Sequence, residues 1–154
     1  MKLNSYEEVK RLTAEMVAIP SINKEPHGES NVAQYVYDFY MGLDYFKQHP
    51  TYAKKFQTKN DFVERHSTYG FVKGTKGNSN RTIILIGHID TVGVDDFGTI
   101  REYAFKCEEL PQKLIETFQL PEEVVADIES GEYMFGRGAL DMKSGVAGHM
   151  YIVK

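Results

Sequence analysis

Arg81-Thr82-Ile83-Ile84-Leu85-Ile86-Gly87-His88-Ile89-Asp90-Thr91-Val92-Gly93 contains a run, Thr82 to Ile86, in which every residue is β-branched or leucine. Such side chains suit a pleated strand. Continuous apolarity, rather than alternation, predicts for residues 81–87 a strand covered on both faces, as in an α/β sheet. The run delivers His88-Ile89-Asp90 to its end. In open α/β sheets the carboxyl end of a strand is where ligands bind, and strand alternation points His88 and Asp90 the same way. The expected fold class is therefore α/β, a mixed sheet flanked by helices.

Outward from this strand the pattern supplies the helices. Val9, Leu12, Met16 and Ile19 recur at three- and four-residue steps, which predicts a helix over residues 5–18 with Ser5 as N-cap and Glu8 at the capping-box position. Pro20 ends it, and a loop runs through Asn23, Pro26 and Gly28. A second helix opens near Glu29 and Ser30, carried by Val32, Tyr35, Val36, Phe39 and Tyr40, and stops near Gly42. Residues 43–61 read as a loop with room for a short helix. Residues 62–74 have the content of a strand, and residues 74–80 that of a hairpin turn. Residues 95–120 read as irregular. Pro121-Glu122-Glu123 opens a helix that ends at Ser130-Gly131. Residues 140–154 read as a further helix.

Bulk numbers exclude several classes of function. A chain of 154 residues can bury one core. Its charges, 18 basic against 22 acidic, include no long single-sign run, so a nucleic-acid surface is not expected. Cys107 is the only cysteine, which rules out an intramolecular disulfide and a Cys-rich zinc site. The polar N-terminus lacks the apolar stretch of a signal peptide, and no apolar run is long enough to span a bilayer. The expected location is the cytoplasm, with no membrane partner.

A second chemical segment, Gly136-Arg137-Gly138-Ala139-Leu140-Asp141-Met142-Lys143-Ser144-Gly145, sets a glycine-flanked Asp141 ahead of the last helix. A metal-ligating imidazole needs a carboxylate or carbonyl on its other nitrogen, and Asp90 is placed to supply one to His88. A carboxylate at a helix N-terminus can hold a cation outward or can cap the helix. Taken alone, His-x-Asp is more often a strand-end histidine with a turn-forming aspartate, and Asp141 is as readily a plain cap.

The two strings together, Gly87-His88-Ile89-Asp90-Thr91-Val92 and then residues 136–145, resemble the M20 family of zinc-dependent peptidases and deacylases. The likeness begins at the Ile19-Pro20-Ser21 turn. Phe46-x-x-His49-Pro50, Asp90-Thr91-Val92-Gly93-Val94 and Phe135-Gly136-Arg137-Gly138 resemble the RocB-type arginine-utilisation branch of that family. The resemblance implies that His88 binds one zinc, that Asp90 orients His88, and that Asp141 bridges two zinc ions. It also implies a downstream pair of glutamates, one of them the general base, with further ligands beyond. None of these positions follows Asp141 here, and Glu108-Glu109 and Glu122-Glu123 precede it.

The expectation is therefore an N-terminal portion, residues 1–154, of an M20-like catalytic domain, without the dimerisation domain or the rest of the catalytic half. The complete protein would hold two zinc ions and cleave an amide bond in a small peptide or N-acyl amino acid, with assembly as a homo-oligomer left open. This chain alone is expected to bind zinc weakly or not at all and to be inactive, because retaining zinc takes three or four protein ligands. The alternative is a non-catalytic α/β module acting by binding or self-association. His27, His49, His66 and His149 read as structural, residues 74–79 as a turn rather than a phosphate loop, Arg137 as a backbone brace, and Cys107 as unreactive.

Overall fold

The computed structural model describes residues 4–25, 27–63 and 65–154. Residues 1–3, Pro26 in the expected loop and Glu64 in the expected strand lie outside the described residues. The architecture is α/β, with helices α1 (Ser5–Val17), α2 (Gly28–Gly42), α3 (Asp44–Gln48), α4 (Leu110–Thr117), α5 (Glu122–Ser130) and α6 (Ser144–Val153). Its sheet pairs β1 (Ala53–Gln57) with β2 (His66–Gly70), antiparallel, in the register Ala53 opposite Gly70 and Gln57 opposite His66. Among the described residues no helix is long and apolar enough to cross a membrane.

The apolar stripe of α1 packs Leu12 and Met16 against Val146, Ala147 and Met150 of α6, and Val32, Val36 and Tyr40 of α2 join the same core. Asn4, not Ser5, caps α1: its Oδ1 accepts from the Glu7 N–H at 2.8 Å. The sheet lies on α2, where Thr68 Oγ1 donates to the Ala33 carbonyl at 2.7 Å. Gly70 passes so close to the Tyr40–Phe46 ring pair that a Cβ there would meet both rings at 3.0–3.1 Å. His49 stacks on Tyr52, ring centroids 5.1 Å apart, which is a local structural role.

Three segments depart from their sequence reading. β1 falls within the stretch read as a loop. Only Ala53 of Ala53-Lys54-Lys55-Phe56-Gln57 is buried, so the strand is made by its pairing with β2 rather than by its own pattern. The hairpin is accordingly closed where the Thr58 N–H donates to the Arg65 carbonyl at 2.8 Å, not at residues 74–80. Residues 95–120 contain a kinked 3-10 stretch, Asp95–Tyr103, and α4, whose Pro111 sits in the first turn, where proline removes no helical hydrogen bond.

The largest departure is residues 81–87, which are not a paired strand. Ile83, Ile84, Leu85 and Ile86 are 87, 74, 45 and 80 % exposed. A strand owes its existence to a ladder of inter-strand bonds, and among the described residues only β1 and β2 form such a ladder. The apolar run is thus laid out bare on the surface, although contiguous apolar exposure is unfavourable for a monomer.

Candidate metal centre

His88 and Asp90 stand at the end of the bare run, and two close approaches hold that end against the segment preceding α6. A Cβ on Gly87 would meet Val146 Cγ2 at 2.9 Å and Met142 Cε at 3.0 Å. Gly138, in the left-handed region at φ 81°, lets Thr91 Cγ2 lie where its own Cβ would come within 2.5 Å. The chain then turns irregularly through Ala139–Lys143 before α6 begins at Ser144. Asp141 is therefore not a helix cap. It has extended backbone angles, and the Asp141–Met142 peptide is cis.

The fold brings together the three residues singled out from the sequence. His88 Nε2 lies 2.8 Å from Asp141 Oδ1, across 53 positions of chain. On the other ring nitrogen, Nδ1 faces the Asp90 carbonyl oxygen at 3.2 Å and Asp90 Oδ1 at 3.4 Å. Both nitrogens face acceptors. Partial burial pulls the imidazole pKa down, but the Asp141 hydrogen bond, the Asp90 carbonyl and the two carboxylate charges outweigh it, and the net shift is upward from 6.5. Asp90 Oδ2 in turn accepts from Asn23 Nδ2 at 3.2 Å. Nearby, burial first and then the Asp90 charge raise the Glu29 carboxyl above its ordinary value.

An imidazole nitrogen facing a carboxylate oxygen has the donor chemistry of one edge of a zinc site. With Nδ1–H directed at Asp90, Nε2 is the nitrogen that can ligate once it gives up the proton it donates to the Asp141 carboxylate, which meets it from the opposite segment. Their separation is a hydrogen-bond distance, 2.8 Å, short of the roughly 3.3 Å edge of a tetrahedron built on zinc bonds of about 2 Å. Two donors are fewer than the three or four that retain zinc. Among the described residues no group of three or more His, Cys, Asp or Glu side chains is placed to hold an ion.

Other sequence candidates fall elsewhere. Arg137 pairs with Asp96, lies over the Phe97 ring at 5.0 Å, and donates its backbone N–H to the Ala104 carbonyl at 2.7 Å, so it ties the glycine loop to the 95–104 segment. His27 sits at the start of α2 with φ 65°, and His66 lies on β2, its buried Nδ1 unpaired among the described residues. Burial raises the Cys107 thiol above its ordinary value. Sequence reasoning passed over Lys143, which is fully buried and donates to the Met16 and Ile19 carbonyls at 3.0 and 2.8 Å. Burial pulls its ammonium down to about 8. The available signal was a lysine at the foot of a helix that buries Val146, Ala147 and Met150.

Among known proteins, Protein RocB of Bacillus subtilis (strain 168) is 36% identical over 148 residues, covering 96% of this chain and 26% of RocB. Protein YqjN of the same organism, itself uncharacterized, is 33% identical over 147 residues, 95% of this chain and 26% of YqjN. The chain spans about a quarter of the length of the curated relatives it matches, and over that quarter it is RocB-like. No family model and no solved structure matches it.

Proposed function

We propose that this chain carries part of the metal site of an M20-type zinc hydrolase, one that cleaves an amide bond in a small peptide or N-acyl amino acid and serves arginine utilisation. The observation that carries the reading is the meeting of His88 Nε2 and Asp141 Oδ1 at 2.8 Å with Asp90 behind the imidazole. Similarity to RocB supports the arginine branch of it.

Zinc bound there supplies Lewis-acid polarisation of an amide carbonyl and activation of water. The chain's own residues would do the following. His88 offers Nε2 as a neutral ligand, Asp90 holds the Nδ1 proton and so fixes that tautomer, and Asp141 brings negative charge and a carboxylate oxygen to the same point. A groove of about 520 Å³ between α1 and residues 132–144, lined by Tyr6, Val9, Tyr133 and Leu140, lies along the loop that carries Asp141 and suits the apolar part of an acylated substrate. Proton transfer from water needs a further carboxylate, and none within this chain is assigned that role.

The test sets the chain beside complete RocB of Bacillus subtilis, each given zinc or a chelator and a panel of N-acyl amino acids and dipeptides. Chelator-sensitive hydrolysis by RocB and none by the chain is expected. A RocB inert across the panel refutes the amidase reading. Turnover by the chain, abolished in His88→Ala, refutes the incomplete site. The bare Ile83–Ile86 run favours a second reading, a non-catalytic module that acts by association through this segment.

A further inference from the structure

The two donor-bearing segments touch each other mainly through apolar contacts, Thr91 on Gly138 and Val146 with Met142 on Gly87. Such contacts are not directional and leave the separation of two exposed side chains loosely defined. Apart from the single His88–Asp141 hydrogen bond, the directional bonds run through a third segment, the turn at residues 19–23 after α1.

From that turn, four hydrogen bonds reach the histidine side. Ser21 Oγ donates to the Ile89 carbonyl at 2.7 Å, the Thr91 N–H donates to the Ser21 carbonyl at 2.8 Å, the Asn23 N–H donates to the Thr91 carbonyl at 2.7 Å, and Asn23 Nδ2 donates to Asp90. Ile89 lies between His88 and Asp90, so the Ser21 bond fixes the backbone from which both side chains hang. The same turn reaches the aspartate side through Lys143, two residues after Asp141, whose Nζ spans the Met16 and Ile19 carbonyls. Thus Ile19 and Ser21, on either side of one proline, bind opposite halves of the site.

The turn is itself held. Pro20 fixes one backbone angle, and the start of α2 presses on it so closely that a Cβ on Gly28 would meet Ser21 Cα at 2.9 Å. Ser21 and Lys143 are both fully buried. Burying an ammonium is expensive when an aliphatic side chain of similar length would fill the space. What the ammonium adds is direction: strong charge-assisted bonds to the Met16 carbonyl at the negative end of α1 and to the Ile19 carbonyl just beyond it.

We propose that the 19–23 turn is a brace that sets the separation of His88 and Asp141, with Lys143 and Ser21 as its positioning residues. The brace rests on the zinc reading above for its purpose, though not for its geometry.

The test is the imidazole proton–nitrogen NMR spectrum of the 154-residue chain in wild type, Lys143→Met and Ser21→Ala, recorded at one pH, first metal-free and then titrated with zinc chloride. Thermal melts are run on the same samples. Wild type is expected to show a His88 Nε2 proton protected by Asp141, and zinc should shift that nitrogen. Both variants, still folded by their melts, should lose the protected proton and bind zinc about ten- to a hundredfold more weakly, the usual effect of losing a residue that supports a ligand. A lowered melting temperature with an unchanged His88 signal and zinc response means a purely structural role and overturns the brace. If Lys143→Met does not fold, Ser21→Ala, which removes a single hydroxyl, decides the matter. If wild-type His88 ignores zinc, the zinc reading fails, and the brace is judged by the metal-free proton alone.

Discussion

Replacing Gly138 by alanine is expected to destabilise the chain by a specific amount for a specific reason. Gly138 holds φ 81°, a left-handed angle that costs an L-residue roughly 1–2 kcal/mol. The added methyl would also lie 2.5 Å from Thr91 Cγ2. Thr91 cannot retreat: it is buried, its N–H is bound by Ser21 and its carbonyl by Asn23. Overpacking of this kind costs about 1–3 kcal/mol, so the total is about 2–5 kcal/mol. For a chain of this size that lowers the melting temperature by about 4–20 °C. The control is Gly148→Ala, inside α6 with no atom within 4 Å of the new Cβ, where stability should hold or rise by at most about 1 kcal/mol. Thermal unfolding followed by circular dichroism, at matched protein concentration, measures both. A Gly138→Ala chain that melts with wild type refutes the claim that Thr91 is locked against this loop.

Further outcomes follow from the same geometry. Asp141→Asn should lower the His88 midpoint in an NMR pH titration, because the carboxylate is a main cause of its upward shift; an unmoved midpoint would separate the two residues in solution. A histidine raised in the folded state adds stability that is fully present below its unfolded pKa of about 6.5 and is lost as pH rises through the folded value. Wild type and Asp141→Asn should therefore differ most in melting temperature in mild acid and converge above that window. Cys107, raised by burial, should alkylate more slowly than a free thiol at the same pH, with iodoacetamide kinetics as the check. Ile83→Lys with Ile86→Lys should increase the monomer fraction in sedimentation velocity without lowering the melting temperature, since both side chains stand in solvent.

Local signals were legible where local physics decides. The stripe of Leu12 and Met16 gave α1, and Pro121 with its two glutamates gave α5. His88 and Asp141 were singled out by the joint resemblance of their two strings to one family, since each motif alone reads as a strand-end histidine or a plain cap; Gly87 and Gly138 are the close approaches at which the two segments meet. What escaped depended on partners distant in sequence. β1 exists through β2, and the Ile83–Ile86 run, strand-like by composition, has no ladder partner among the described residues. The N-cap moved by one residue because Asn4 and Ser5 are both competent caps and pattern does not rank them. Lys143 escaped because its partners are backbone carbonyls more than a hundred residues away, which no side-chain motif announces.

The most direct test of the central claim is a zinc titration of the chain by competition with a chromophoric chelator, for wild type, His88→Ala and Asp141→Asn. A complete structural zinc site gives about 10–16 kcal/mol, so half the ligands should give about 5–8 kcal/mol, a dissociation constant from micromolar to a few tenths of millimolar. The expected result is one site in that range, lost in both variants and tightening as pH rises and His88 gives up its proton. Zinc binding that survives both substitutions, or no binding by wild type at millimolar zinc, would contradict it.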